Sequence, residues 1–267
     1  MPSVTFSPDD LALVKGSQTG KRAALDLLGC QLSKNHRVIK ADYEKIVRHK
    51  NALLRDEASP VLVDAMNDML IPAAAQLFRY RQALVRNLVG RMARAYEEIT
   101  GGAETVDASY IPSWATDQER AYAQEAPMEF PCEKDQIPHL LERALLERRP
   151  EELARRRSVV GPHADRLEFF VAGRNAAHFA SQGQQRSLVL AWKIAEVGLV
   201  RELMGVKPVL LLDDVMSELD ASRRHALVEL LRQDIQTFMT TTDAAFFEPD
   251  IMERANVYDL STWGGCE

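Results

Sequence analysis

Between Thr19 and Asp56 apolar side chains return every three or four residues: Leu25, Leu28 and Leu32, then Ile39, Tyr43, Ile46 and Leu53. That spacing places one face of a helix against a core and predicts helical structure over the whole span. A second helical stretch, Val61 to Ile99, carries Met66, Met69, Leu77, Leu84, Leu88, Met92 and Tyr96 on one face. Pro72 should kink it, because proline lacks a backbone donor and crowds the preceding turn, and Gly101-Gly102 should end it. Residues 103–135 are irregular and rich in Pro, Glu and Ala, with ASYIPSW the one strand-like run. Helical spacing returns from Ile137 to Arg157. After Ser158 the texture changes, and LEFFVAG and VLLLDD read as strands separated by one long helix. The opening SVTFSPDDLALVKG reads as the end of a strand and a polar turn in which Asp9 or Asp10 caps a helical turn. The pattern predicts an α/β protein with two helical arms inserted between its α/β segments.

A chain of 267 residues, 46% hydrophobic and 27% charged, has the composition of a soluble globular protein of one or two domains. Its formal charge of −6 argues against indiscriminate nucleic-acid binding but leaves room for a local basic face. Cys30, Cys132 and Cys266 are few and far apart, which fits reduced thiols in the cytoplasm rather than a disulfide framework. The six histidines form no zinc-ligand spacing. No signal peptide and no apolar run approaching about 20 residues is evident, so no membrane association is expected.

The stretch KGSQTGKR invites comparison with a phosphate-binding P-loop, G-x-x-x-x-G-K-[ST]. Gly16 and Gly20 are one residue too close, and Arg22 stands where a magnesium-binding hydroxyl is needed. The stretch instead predicts a Gly-Ser turn leading into a helix at Thr19.

Chemistry gathers in the last third of the chain. In PVLLLDDVMSELD, the run Val209 to Leu212 has the mark of a parallel strand buried on both faces. It ends in two adjacent carboxylates, Asp213 and Asp214, whose like charges call for a cation or protons. At the carboxyl end of such a strand the expected solution is Mg²⁺ on Asp213, directly or through water, with Asp214 placed to polarise an attacking water. Some 25 residues earlier, ASQGQQRS opens a long amphipathic helix with Leu188, Ala191, Trp192, Ala195, Leu199 and Leu203 on its buried face. Ser181 suits the N-cap, Gly183 permits close approach of a ligand to the backbone, and the free N–H groups of a helix N-terminus favour an anion.

The signature-like SQGQQRS, the Walker B-like VLLLDD and the D-loop-like SELD together resemble the C-terminal half of an ABC-type ATPase head. In detail they resemble the RecF family of bacterial DNA replication and repair proteins, related to the SMC proteins. FSPDDLALVKGS, VGPHADRLEF and TFMTTTD extend that resemblance over nearly the whole chain. It implies a partial ABC-type head, a mostly parallel sheet with flanking helices, carrying an inserted α-helical arm domain. Residues 1–33 would be a remnant of the first ATPase lobe, 34–157 the arm, and 158–267 the second lobe with signature, Walker B and D-loop.

The resemblance also implies ATP and Mg²⁺ as cofactors. ATP would be sandwiched between two subunits: Ser181, Gly183 and Gln184 would face a nucleotide held by a second copy. Asp213 and Asp214 would serve the nucleotide of the same subunit, and Asp220 would sit at the dimer seam. The ATP-dependent homodimer would clamp double-stranded DNA near single-strand gaps, acting with RecO and RecR to help RecA load. No P-loop or opening strands of such a head are found among the 267 residues, and the family's GPHRDD run reads GPHADR here. The expectation is therefore a relative lacking its P-loop-bearing N-terminal segment, a weak ATPase only when that segment is supplied. Arg79, Arg81, Arg86, Arg91 and Arg94 on one long helix, and the run Arg155 to Arg157, are the candidate DNA contacts. Such charge is unspecific, so it would read phosphates and not sequence. Two other classes stay open: a catalytically dead ABC-like module that binds a protein partner through its helical arms, and an OLD-like nuclease. The nuclease would need a further acidic cluster after the core, which STWGGCE lacks.

Overall fold

The computed structural model describes residues 1–102, 104–128, 130, 133, 135–232, 235–243, 246–247 and 249–259. Cys132, Cys266 and the terminal STWGGCE lie outside the described residues, and Cys30 is a free, half-buried thiol. In chain order the elements are β1 (Ser3–Phe6), a 3-10 turn (Pro8–Leu11), α1 (Ala12–Lys15), α2 (Gln18–Leu32), α3 (Lys34–Arg55), α4 (Pro60–Thr100) and β2 (Val106–Ile111). There follow α5 (Asp117–Glu125), α6 (Ile137–Glu147), α7 (Arg149–Arg155), β3 (Arg166–Val171), β4 (Arg174–Asn175) and α8 (Ala176–Phe179). The last group is α9 (Gln182–Met204), β5 (Val209–Asp213), a 3-10 turn (Val215–Glu218), α10 (Ala221–Leu231), β6 (Thr237–Thr240) and α11 (Pro249–Arg254).

The strands form two sheets. One is parallel in the order β1-β5-β6, with Val4 beside Leu210 and Leu210 beside Thr237. The other is antiparallel in the order β2-β3-β4, with Val106 opposite Val171 and Ile111 opposite Arg166. Strands β2 and β3 correspond to the strand-like runs ASYIPSW and LEFFVAG, but their pairing into a second sheet was not legible in the pattern. Strand β2 falls within the span 34–157 read as a helical arm, yet its whole length pairs with β3 from the following span.

The predicted helix Thr19–Asp56 is two helices. Ser33 ends α2 and caps α3, its hydroxyl accepting the His36 N–H at 3.2 Å, so a local side-chain bond interrupts a continuous apolar pattern. The KGSQTGKR stretch is the expected turn, with Ser17 capping α2 through the Gly20 N–H. Helix α4 runs 41 residues through Pro72 and ends at Gly101 in the left-handed conformation, φ 72°. Part of α4 is apolar and long enough to pass a length-and-composition test for a membrane span, against expectation. Leu70, Ala74, Leu77 and Phe78 of that helix are fully buried in the protein core, whereas Val61, Leu62 and Met69 are exposed.

Helix α9 organises the core. Its buried face, including Leu188, Ala191, Trp192, Ala195 and Leu199, joins Val4, Phe6, Leu210 and Leu212 of the parallel sheet in one cluster. Trp192 meets Phe169 of β3 edge-to-face at 5.2 Å, tying both sheets to the same helix. Strand β5 is not buried on both faces as predicted: Leu210 and Leu212 are buried, but Val209 and Leu211 are only partly covered. Leu211 lies beside Phe238 of β6, which is 59% exposed, so among the described residues this face of the sheet has little cover.

Candidate functional site

The N-terminus of α9 is built by a capping box. The Ser181 hydroxyl accepts the Gln184 N–H at 3.2 Å, and the Gln184 side-chain oxygen accepts the Ser181 N–H at 2.7 Å. The Gln184 amide then donates to Glu104 at 2.6 Å, and the other oxygen of Glu104 accepts from the Tyr96 hydroxyl at 3.1 Å. Ser181 and Gln182 are exposed, whereas Gln185 and Ser187 one turn on are buried. The first turn of the helix is thus rigidly held while its end faces solvent, where N–H groups and the helix dipole favour an anion.

Gly183 lies against Arg223. Its surroundings are filled from within the chain: a Cβ there would lie 3.0 Å from the Arg223 guanidinium, and the Gly183 carbonyl accepts from Arg223 at 2.7 Å. Arg223 also donates to the Ser187 hydroxyl at 2.8 Å and pairs with Asp220. Asp220 caps α10 by accepting the Arg223 N–H at 3.0 Å. The structure therefore brings Ser181, Gly183, Gln184 and Asp220 into one cluster. Ser222, next to Arg223, donates to the Ile99 carbonyl at 2.7 Å, which fastens the same cluster to the end of α4.

Asp213 and Asp214 form a second cluster at the carboxyl end of β5. Asp213 is exposed and accepts the Thr240 hydroxyl at 2.6 Å. Asp214 is in the left-handed region, φ 47°, a conformation aspartate tolerates better than most residues. Its N–H reaches the carbonyl and hydroxyl of Thr240 at 3.2 and 3.1 Å, and Thr242 donates to its carboxylate at 3.4 Å. Threonine hydroxyls and the Thr242 N–H donate to these two carboxylates. Mg²⁺ takes hard oxygen donors and keeps several waters, and the exposed Asp213 carboxylate is a ligand of that kind. Among the described residues no group of three His, Cys, Asp or Glu makes a self-sufficient metal cage. An ion on Asp213 would complete its shell with water or phosphate oxygens.

The arginines predicted on α4 separate. Arg79, Arg86 and Arg94 are exposed. Arg91 is half-buried, donating to the Asn87 carbonyl at 2.6 Å and pairing with Glu202 of α9. Arg81 cannot touch a nucleic acid: it is 4% exposed and grips Asp26, with further bonds to the Tyr110 hydroxyl at 3.0 Å and the Pro162 carbonyl at 2.6 Å. Spacing on a helix alone did not separate it from its neighbours.

Around Arg81 lies a buried polar network that the sequence did not announce. His36 shares Asp26 at 3.0 Å, and this pairing with His36 and Arg81 outweighs burial and brings the Asp26 carboxyl down to about 2. Asp165 accepts the Tyr110 hydroxyl at 2.9 Å and the Ser113 N–H at 2.7 Å. The GPHADR run supplies the rest. A Cβ at Gly161, φ 127°, would come within 2.3 Å of the Tyr43 hydroxyl, and that hydroxyl lies 2.6 Å from His163 Nδ1. Burial pushes the His163 imidazole down to about 4.

Arg223, Glu104 and Thr240 are the site residues that sequence reasoning missed. TFMTTTD had been singled out, but not the threonine that reaches Asp213. Nothing in the local pattern marks Glu104, whose role depends on the meeting of α4 and α9.

No family model matches the chain. Curated relatives do: the DNA replication and repair protein RecF of Heliobacterium modesticaldum is 35% identical over 265 residues, covering 97% of this chain and 68% of the relative. That of Symbiobacterium thermophilum is 38% identical over 244 residues, 90% of this chain and 61% of the relative. Among solved structures, the recombination mediator protein RecF-ATPrS in the RecFOR pathway matches with TM-score 0.79 at 26% identity, over 91% of this chain and 63% of that one. The RecF-ATP structure gives 0.77 at 27%, over 91% and 62%. The chain thus spans about two thirds of the length of the proteins it matches. With that identity along nearly all of its residues, the chain belongs to the RecF family of DNA replication and repair proteins.

Proposed function

We propose that this chain is the signature- and Walker B-bearing part of a nucleotide-gated DNA replication and repair protein, working in the cytoplasm. The observation that carries the reading is the start of α9: a capping box braced by Glu104 and Arg223 that leaves a helix N-terminus facing solvent. The matched structures are of RecF-ATP and RecF-ATPrS, which supports nucleotide as the anion. On this reading residues 1–33 and 158–267 contribute to an ATPase head and 34–157 include its helical arm. Ser181, Gly183 and Gln184 present donors to the γ-phosphate of a nucleotide held by a second copy, and Asp220 stands at the seam. Asp213 holds Mg²⁺, and Asp214 orients water for the nucleotide of its own subunit. Bound ATP-Mg²⁺ supplies the phosphoanhydride and neutralises its charge. ATP thereby joins two copies, and the dimer holds double-stranded DNA near gaps in cooperation with RecO and RecR. Exposed Arg79, Arg86 and Arg94 are candidate phosphate contacts on this reading.

A chimera with the expected P-loop-bearing segment restored ahead of this chain tests the assignment. Ser181→Arg puts a cation and its bulk in the seam and leaves Asp213 and Asp214 untouched. ATP should bind each monomer, while ATP-dependent dimers in sedimentation and turnover fail together. If Ser181 is only a helix cap, the change lowers stability by about 1 kcal/mol and dimers persist, an outcome that overturns the seam reading.

A further inference from the structure

Away from α9 and β5, the turn after β2, the first turns of α5, the α6–α7 corner and the start of β3 enclose a cleft of about 430 Å³. Its walls carry four arginines, Arg120, Arg148, Arg155 and Arg166, against two carboxylates, Asp117 and Glu151. With Glu168, the partner of Arg166, the four arginines meet three carboxylates on a chain whose formal charge is −6.

The guanidinium groups are held by the fold. Arg148 is fixed by Glu151 at 2.9 Å and by the carbonyls of Val159 at 3.2 Å and Ser113 at 3.4 Å. Arg120 donates to the Ser113 carbonyl at 3.3 Å and pairs with Asp117, and only 24% of its side chain is exposed. Arg166 is steadied by Glu168 at 2.8 and 3.1 Å, and Arg155 by Glu151 at 3.1 Å. Arg120, Arg155 and Arg166 each engage only part of the five-donor guanidinium fork in these bonds. Arginines so anchored lose little freedom on gripping an anion, and their planar forks match the tetrahedral oxygens of phosphate. The Glu151 carboxyl is held below its usual range by Arg148, Arg155 and Arg120, in keeping with the local field.

We infer that this cleft is a phosphodiester-binding site, through which the chain holds the backbone of duplex DNA without reading its sequence. The inference rests on the DNA-binding part of the proposed function and locates it away from the arginine stripe of α4. The site is composite: Arg120 comes from α5, Arg148 from the α6–α7 corner, Arg155 from α7 and Arg166 from β3, and only Arg155 belongs to the basic run visible in the sequence. Arg148 also stitches the cleft together, so Arg120 and Arg155 are the positions to alter.

The test is fluorescence anisotropy of a labelled 20-base-pair duplex with the purified chain between 50 and 200 mM salt, with inorganic phosphate and polyglutamate as competitors. Arg120→Ala/Arg155→Ala should weaken duplex binding about ten-fold and reduce the salt slope by about two, one for each lost phosphate contact. Arg79→Ala/Arg94→Ala serves as the comparison, and thermal melting checks that both variants fold. Arg155→Ala alone, which removes one exposed side chain, gives half the slope change if the double variant melts early. If the α4 pair alone weakens binding, the DNA reading stands and the cleft is not its site. If the native chain binds no duplex at 50 mM salt, the same comparison is run on the P-loop chimera with ATP, and a chimera that binds none overturns both. Competition by polyglutamate as strong as by DNA, or by millimolar inorganic phosphate alone with no change in salt slope, overturns the phosphodiester assignment.

Discussion

Arg81 and Asp26 face each other in the interior as a two-pronged pair, with Nε to Oδ1 at 2.8 Å and Nη2 to Oδ2 at 2.7 Å. Their side chains are each 5% exposed, so both charges have left water and depend on each other. The pair binds α2 to α4, and Arg81 reaches on to Tyr110 of β2 and to Pro162 ahead of β3. Four parts of the chain meet at one side chain.

Arg81→Ala should therefore lower stability by about 3–5 kcal/mol, because it leaves the Asp26 carboxylate buried with half its partners gone. Exposed Arg79→Ala should change stability by no more than about 0.5 kcal/mol. Urea unfolding of the two variants checks the contrast. Equal losses would mean that the buried pair contributes nothing of its own.

Two groups should weaken the fold in acid, against the buried carboxyls of Asp165 and Glu196, which burial pushes up and which favour the fold when protonated. His163 titrates at about 4 in the fold and at 6.5 as a free group, so between those values the unfolded chain binds the extra proton. Its contribution, about 2–4 kcal/mol, is complete above pH 6.5 and is lost as pH falls toward 4. Asp26, brought down to about 2 from 3.8, adds a loss only below about pH 4. Melting temperature followed from pH 7 to pH 3 should drop across both windows, and His163→Gln should flatten the first one only.

Glu104 joins the arm helix to the start of α9 by accepting from both Tyr96 and Gln184. Glu104→Ala leaves a hydroxyl and an amide without that partner and should cost about 1–3 kcal/mol. The loss should be local as well: amide exchange should quicken at residues 181–187 while the middle of α9 stays protected. Unchanged exchange there would separate the arm from the signature turn.

By itself the 267-residue chain should release no phosphate from ATP, for KGSQTGKR supplies no phosphate cradle. In the chimera that carries a P-loop segment, Asp213→Ala should abolish Mg²⁺-dependent turnover and weaken nucleotide binding. Asp214→Asn should slow turnover and leave binding intact. Native turnover by Asp214→Asn would remove that residue from the reaction.

Local chemistry made much of this protein legible from sequence. Ser181 and Gln184 are three residues apart, so their capping box follows from helix geometry, and α9 begins where the motif places it. Gly101 ends α4 because a left-handed turn suits glycine. VLLLDD forms a parallel strand with its carboxylates at the carboxyl end. Each of these depends on residues a few positions apart. Ser33 shows the converse: the apolar period runs on through it, while one side-chain hydrogen bond to the backbone decides for a break. The exposed face of β5 was hidden too, since an apolar run states what can be buried and only neighbouring elements decide what is. Tertiary structure alone separated Arg81 from Arg79, because burial and a carboxylate 55 residues away distinguish arginines that share one helix. It alone paired β2 with β3 and gathered Arg120, Arg148, Arg155 and Arg166 around one cleft. Charges interact through space, and a helical period carries no record of which distant element will lie opposite.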